Sequence, residues 1–233
     1  MKSIFEKHET LFCILLIVAY LVINSFCLQN FGITDIRSVL INTFFSFTLI
    51  IIMKMLHKTS YYGLTKVTHY KDYLYFIPLF LITSVNLWNG IHINHSPSEI
   101  IFHILTMINI GFIEEIIFRV FLFKMMAKDN LNIAIHVNAI TFGIGHIVNL
   151  LNGADLIPTL LQISYAISIG YLFVIIFYKS GSLLPCIITH AIVNALSIFR
   201  VESESSLYLT SLFLIIVPLI YATYIIKTTK TNS

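Results

Sequence analysis

Long apolar stretches dominate this chain and leave few folds open to it. A stretch of roughly 20 apolar residues is long enough to cross a bilayer as one helix. Eight candidates follow one another along the 233 residues, and the third and seventh are short. They lie at about 9–28, 38–57, 73–90, 100–126, 131–151, 157–178, 182–200 and 206–226. The sequence therefore predicts an all-α fold, a polytopic transmembrane helical bundle that forms a single integral membrane domain over residues 1–233.

The positions of lysine and arginine predict the orientation of the bundle. The 14 basic residues are 11 lysines and three arginines. If the N-terminus is cytoplasmic, eight spans place every lysine on the cytoplasmic side and leave only Arg37 and Arg200 on the other side. Such an excess of basic residues is typical of cytoplasmic loops. We therefore expect the N- and C-termini to be cytoplasmic and Arg119 to lie inside a span.

The composition limits the partners that the chain can have. Charged residues make up 11% of it, against about 25% in soluble domains. The net charge is only +3, and no basic block is interleaved with aromatic residues, so we expect no nucleic acid partner. The expected surroundings are a lipid bilayer. The abundance of Ile, Asn, Lys and Phe suggests a bacterial plasma membrane.

The stretch GFIEEIIFRV, residues 111–120, places three ionisable groups inside the fourth span. An ionised side chain at the bilayer centre costs about 2.5–3.5 kcal/mol on insertion scales. Glu115 and Arg119 are four residues apart on one helix face, in the order that favours pairing. Glu114 lies roughly 100° around the helix, so this pair does not account for it.

Two later spans carry polar groups that can face Glu114. The fifth span contains Phe142 and His146, and the seventh contains His190 and Asn194. His190 and Asn194 are four residues apart and therefore point to one face of their helix. Counted from the lysines and helix ends, the two histidines and Glu114 lie at similar depths. The sequence predicts that these groups meet near the middle of the membrane.

Other polar or small residues in the fourth and fifth spans have structural interpretations. Gly143 and Gly145 precede His146, and we expect them to let neighbouring helices approach closely. His103 is expected near the outer surface, in a structural role. His136 and Asn138 are expected near the membrane interface, at the cytoplasmic start of the fifth span.

The chain resembles the CPBP family, which includes CAAX prenyl endopeptidases, bacteriocin-processing proteins and bacterial Abi proteins. The resemblance covers roughly residues 98–200 and rests on three motifs in order: Glu114-Glu115-x-x-x-Arg119, Phe142-x-x-x-His146 and His190-x-x-x-Asn194. One departure is Val120, where many members have glycine after the arginine. The resemblance implies an all-helical intramembrane endopeptidase that acts on a peptide or a membrane protein.

The resemblance also implies a role for each motif residue. A carboxylate in a water-poor cavity binds a proton more tightly, which suits a general base. Peptide hydrolysis also needs donors for the developing oxyanion. The implied roles are water activation for Glu114 and His146, oxyanion stabilisation for His190 and Asn194, and support of the site for Glu115, Arg119 and Phe142.

The sequence leaves three alternatives open. Glu114, His146 and His190 are also ligand types of catalytic zinc sites, so a divalent metal such as zinc remains open although no cofactor is certain. A non-catalytic membrane protein, acting in bacteriocin immunity or regulation, could use the same fold. A proton-coupled transporter also uses intramembrane acids and histidines. No inverted repeat favours that function, and no Gly-x-Ser-x-Gly motif indicates an α/β-hydrolase.

Overall fold

The protein folds as a bundle of apolar helices, described here from a computed structural model that covers residues 5, 7–56, 59–67, 76–201 and 203–230. Within these residues there is no β-strand, only an isolated bridge between Ile91 and Arg200. The eight main helices are α1 (Glu9–Asn30), α2 (Ile36–Leu56), α3 (Phe76–Ser84), α4 (Pro97–Glu115), α5 (Leu131–Gly145), α6 (Leu156–Ser180), α7 (Leu184–Leu196) and α8 (Glu204–Thr228). The predicted all-α fold with about eight helices is confirmed.

Six helical segments are long and apolar enough to cross a membrane. The third and seventh segments are shorter, as the sequence predicted, at Ile77–Leu87 and Leu184–Phe199. Residues 73–75 of the predicted third span lie outside the described residues, as do Lys2, Lys58 and Lys71. The cytoplasmic location of the termini stays a prediction.

Successive helices alternate in direction, so the loops collect at two ends of the bundle. We call one the lysine end, because it contains the described lysines. There Lys128 pairs with Glu9 at 2.6 Å, which ties the end of the fourth segment to the start of α1. We call the other the arginine end, because it contains Arg37 and Arg200. The described lysines are Lys7, Lys54, Lys66, Lys124, Lys128, Lys179, Lys227 and Lys230.

The fourth helical segment is the longest and begins at the arginine end. The Ser96 side chain accepts a hydrogen bond from the Glu99 backbone, and the Glu99 carboxylate accepts one from the Ser96 backbone at 2.8 Å. This capping box stabilises the first turn. The segment continues to Ala127, and its 31 residues span about 46 Å at 1.5 Å per residue. Its stretch Ile116–Phe123 is a wider π-helix.

The half of the bundle near the lysine end is tightly packed. All eight residues of the π-helical stretch Ile116–Phe123 are buried. Every residue from Leu172 to Phe177 in α6 is also buried. Dense apolar packing of this kind holds backbone and side chains in fixed positions. Glu114 and Glu115 directly precede this packed stretch, on its side nearer the arginine end.

The two glycines before His146 differ in their surroundings. A Cβ atom on Gly143 would lie 2.8 Å from the Ile167 nitrogen and 2.9 Å from the Ile163 carbonyl oxygen, so glycine is required where α5 touches α6. At Gly145 no atom would lie within 4 Å. The expected close approach is therefore confirmed at Gly143 and wrong at Gly145, because α5 ends there beside open space.

Candidate functional site

Two neighbouring carboxylates lie where α4 passes into its π-helical stretch. Glu114 and Glu115 are both buried, and Glu115 is completely inaccessible to solvent. The Glu115 Oε2 atom lies 3.2 Å from the Nε atom of Arg119, which is also fully buried. This is the pair that the four-residue spacing predicted. This pairing offsets part of the cost of placing either charge in an apolar interior, and losing one partner would leave the other uncompensated.

His190 of α7 joins the two carboxylates. Its Nδ1 atom lies 2.8 Å from Glu115 Oε1, and its Nε2 atom lies 3.2 Å from Glu114 Oε2. A proton on each nitrogen would let both carboxylates accept from the ring. The four groups, two acids, one guanidinium and one imidazolium, would then sum to zero net charge. A buried cluster without net charge avoids the penalty of an isolated buried ion.

Glu114 has a second partner that the sequence did not reveal. The hydroxyl of Tyr20 in α1 donates a hydrogen bond to Glu114 Oε1. Tyr20 is itself buried. One carboxylate oxygen of Glu114 therefore contacts α1 and the other contacts α7. Hydrogen bonds to an ionised group are stronger than those between neutral groups, so this arrangement fixes the direction of the carboxylate.

Phe142 of α5 forms an aromatic wall beside the charged cluster. The Arg119 guanidinium lies over its ring, 4.2 Å from the centroid. The rings of His146 and His190 each meet it edge to face at 5.7 Å between centroids. A cation over an aromatic face is attracted by the ring quadrupole. Phe142 thus contacts three of the predicted site residues and holds them in one arrangement.

A cavity of about 390 Å³ begins at Glu114 and extends to the arginine end of the bundle. His146, at the end of α5, and Asn194, in α7, line the same cavity. Neither the His146 ring nor the Asn194 carboxamide has a hydrogen-bond partner among the described residues, so both can bind a guest. The backbone carbonyl oxygen of Asn194 lies 3.3 Å from the Nε2 atom of His103. His103 is buried, and its structural role stays a prediction.

The structure brings the predicted residues together in two groups. Glu115, Arg119 and His190 form the closed charged cluster, with Phe142 against it. Glu114 belongs to that cluster and also lines the cavity, where His146 and Asn194 lie. His190 contacts Glu114 but does not line this cavity. The sequence had placed these residues at one site, and it did not distinguish the buried group from the accessible one.

Two residues outside the predicted set shape the site. Tyr20 lies eleven residues beyond Glu9, so its depth in the bundle is similar to that of Glu114, which is ten residues from Lys124. The sequence nevertheless gave no reason to choose it, because aromatic residues are common in spans. Asn138 was expected at the membrane interface, and its depth in the membrane stays a prediction. It is fully buried within the bundle, and its Nδ2 atom donates to the Phe118 carbonyl at 2.5 Å. Asn138 thereby joins α5 to the π-helical stretch of the fourth segment.

The arrangement does not fit a catalytic zinc ion. Among the residues that the structure describes, no three His, Cys, Asp or Glu side chains are placed to hold a metal. Both ring nitrogens of His190 face carboxylates, whereas a zinc ligand needs one nitrogen directed at the metal. We therefore derive no step through a metal ion.

The fold and the site together define an intramembrane helical bundle with a buried acid, histidine and amide constellation beside a cavity. Residues 96–196 match the model of the type II CAAX prenyl endopeptidase Rce1-like family, which confirms the resemblance to the CPBP family. The matched segment runs from the capping Ser96 to the last residue of α7 and contains all the predicted site residues. No curated protein and no solved structure gives a match. The family is one of proteases, which supports a hydrolase, and the six spans support an integral membrane protein.

Proposed function

We propose that the protein is an intramembrane endopeptidase in which Glu114 activates the attacking water. The observation that carries this proposal is the position of Glu114. Its carboxylate is fixed from both sides, by Tyr20 and His190, and yet it lines a cavity large enough for a peptide segment. A general base must be held within reach of the water that it deprotonates. The family match supports peptide hydrolysis as the reaction.

The proposed reaction uses three residues that line the cavity, Glu114, His146 and Asn194, together with His190 from the adjoining charged cluster. Glu114 takes a proton from a water molecule that His146 orients, and the hydroxide attacks the carbonyl carbon of the scissile peptide bond. The Asn194 carboxamide donates to the oxyanion that forms. His190 joins it by exchanging its contact with Glu114 for one with the oxyanion. When the C–N bond breaks, the proton held by Glu114 passes to the leaving nitrogen, which completes the hydrolysis.

Glu115 and Arg119 have a positioning role in this proposal. Glu115 fixes the His190 ring through Nδ1, at 2.8 Å, and Arg119 holds the second oxygen of Glu115. The ring orientation of His190 therefore follows from residues that never meet the substrate. This chain of contacts is the reason that two acids stand together in the fourth span.

The test compares two variants with the same chemical change on the same helix. Glu114→Gln removes the base. Glu99→Gln alters the partly exposed capping acid at the start of α4, outside the cavity lining, and serves as the control. We expect Glu114→Gln to lower cleavage of a peptide library in nanodiscs by about 10²-fold or more, the usual contribution of general base catalysis. Glu99→Gln should cleave like the wild type. Thermal unfolding should show that both variants remain folded.

Three results would contradict parts of this proposal. Equal cleavage by Glu114→Gln would exclude that residue as the base. No cleavage by the wild type would oppose the peptidase function and favour a non-catalytic immunity or regulatory protein. We expect cleavage to survive EDTA, and its loss with recovery on added zinc would overturn the metal-free mechanism.

A further inference from the structure

The cavity above Glu114 reaches only one end of the bundle. Its lining residues lie in the halves of α1, the fourth segment, α6, α7 and α8 that are nearer the arginine end and in the loops there, and none of the described lysines lines it. Toward the lysine end, the way is closed by the packed residues from Ile116 to Phe123. Along the axis of the bundle, a guest that reaches Glu114 through this cavity therefore comes from the arginine end.

Carboxamide side chains are unusually frequent in the cavity wall. Each carries one acceptor oxygen and two donor hydrogens, which match the alternating N–H and C=O groups of an extended peptide. Asn24, Asn89 and Asn194 make no side-chain hydrogen bond with any described residue, so their amides are open to a guest. The full set is Asn24, Asn86, Asn89, Asn149, Gln162 and Asn194.

The carboxamides of this wall are poorly suited to a lipid chain, whereas its apolar residues, such as Leu28, Ile110 and Leu214, suit the apolar side chains of a peptide. Covering a carboxamide with hydrocarbon removes its contact with water and provides no hydrogen bond in return, which costs free energy. A peptide backbone replaces the lost water contacts with hydrogen bonds. The chemistry of the wall therefore favours an unlipidated peptide segment over a prenylated one.

One cation lines the cavity among the described residues. Arg200 follows α7 at the arginine end, where its backbone is held by a bridge to Ile91. Its guanidinium makes no ion pair with the described residues. By contrast, Arg37 at the same end pairs with Asp35 at 2.8 Å. An unpaired guanidinium is a ready partner for a carboxylate, which it can bind through two parallel hydrogen bonds.

We infer that the cavity receives an unlipidated, extended peptide from the arginine end of the bundle and that Arg200 binds a carboxylate of that peptide. The carboxylate is either the C-terminus of the peptide or an acidic side chain. The inference rests on the proposed peptidase function for its choice of a peptide. It adds the direction of access, the class of substrate and one specificity residue.

The experiment measures occupancy of the cavity without cleavage. It uses the full chain carrying Glu114→Gln, with Cys13, Cys27 and Cys186 replaced by alanine, in oriented membrane vesicles. A reporter cysteine is introduced by Thr210→Cys, in the cavity wall, and the matched control is Thr228→Cys. Both threonines belong to α8 and donate to the carbonyl four residues before them, but Thr228 is exposed at the lysine end.

The reporter is labelled with membrane-impermeant thiosulfonates, one anionic and one cationic. We expect the cysteine at 210 to be labelled from the arginine end and the cysteine at 228 from the lysine end. The anionic reagent should react faster at 210, and Arg200→Gln should reduce this preference on the order of fivefold. Arg37→Gln, the matched charge change outside the cavity, should leave the preference unchanged. Labelling of 210 only from the lysine end would overturn the direction of access.

Randomised peptide pools then compete with the label. A pool with free carboxylates should protect the cysteine at 210, and Arg200→Gln should abolish that protection. Two modified pools tell which carboxylate is bound. One has amidated C-termini, and the other has amides in place of the acidic side chains. Stronger protection by a farnesylated pool would overturn the unlipidated substrate. Protection without cleavage by the wild type would contradict the proposed peptidase function and would still support a peptide-binding cavity. Cleavage without protection would contradict this inference and leave the proposed function standing.

Discussion

The two halves of the bundle are built in opposite ways. Near the lysine end, the π-helical stretch of the fourth segment and the facing part of α6 are buried, and Arg119, the charged residue within them, pairs with Glu115. Near the arginine end, the same helices separate around a cavity whose amides have unused hydrogen-bonding groups. Glu114 lies at the boundary between them. The difference suits the proposed function, in which the packed half holds the acid in position and the open half receives the peptide.

The largest expected effect is the loss of an ion pair from the packed half. Arg119→Met leaves the Glu115 carboxylate buried and without its cation, which we expect to cost about 3–5 kcal/mol of stability. Thermal unfolding of the purified protein in detergent measures it. Arg37→Met, which breaks an exposed ion pair at the arginine end, is the control and should unfold like the wild type. Equal stability of the two variants would show that the packed half does not depend on its charges.

The next effect is expected at the boundary. Tyr20→Phe keeps the ring and removes the hydroxyl that donates to Glu114. Because that hydrogen bond involves a charged group, we expect a loss of about 1.5–3 kcal/mol, divided between stability and peptide cleavage. The midpoint of unfolding and kcat/KM measure the two parts. Tyr208→Phe, at an exposed tyrosine of α8, is the control. An unchanged Tyr20→Phe protein would mean that α1 does not help to hold the acid.

A smaller effect is expected from a single methyl group. Gly143→Ala forces a Cβ atom against backbone atoms of α6, and overpacking of this kind costs about 1–3 kcal/mol. Gly145→Ala, two residues further on, adds the same methyl group to open space. Comparing their unfolding midpoints locates the boundary between the two halves along α5. If Gly145→Ala were the more destabilising variant, the boundary would be misplaced.

The smallest effect is expected inside the cavity. Asn24→Leu removes a carboxamide that bonds to no described residue, so we expect stability to change by no more than about 0.5 kcal/mol. The unfolding midpoint again provides the measurement. A large loss of stability would show that this amide supports the fold, and it would weaken the contrast between a structural half and a binding half.

Much of the fold follows from the sequence because each span carries its own local signal. The apolar lengths gave the eight helices, including the two short ones. The spacing of Glu115 and Arg119 gave their ion pair, since neighbours on one helix face depend only on helix geometry. The family match over residues 96–196 confirms the family resemblance, while the roles of the motif residues stay predictions.

The remaining features depend on contacts between distant segments. The hydrogen bond from Tyr20 to Glu114 joins residues 94 positions apart, and no periodicity predicts such a pair. Asn138 is buried and donates to the Phe118 carbonyl in the π-helical stretch of another helix. The sequence carried no sign of that stretch, so it could not predict this contact. The division of the site into a closed cluster and an accessible group likewise needed the packing.

The hydrogen bond from Tyr20 shows that the site extends beyond the segment that carries the family motifs. The matched segment, residues 96–196, holds both acids, both histidines and the arginine, but the hydroxyl on Glu114 comes from α1, which precedes it. A fragment cut at the bounds of the match would keep every motif and lack one of the two contacts on its central acid. The first helix is therefore part of the working unit. Chimeras that exchange α1 between related chains would change the hydrogen bond to Glu114 while every motif stayed the same.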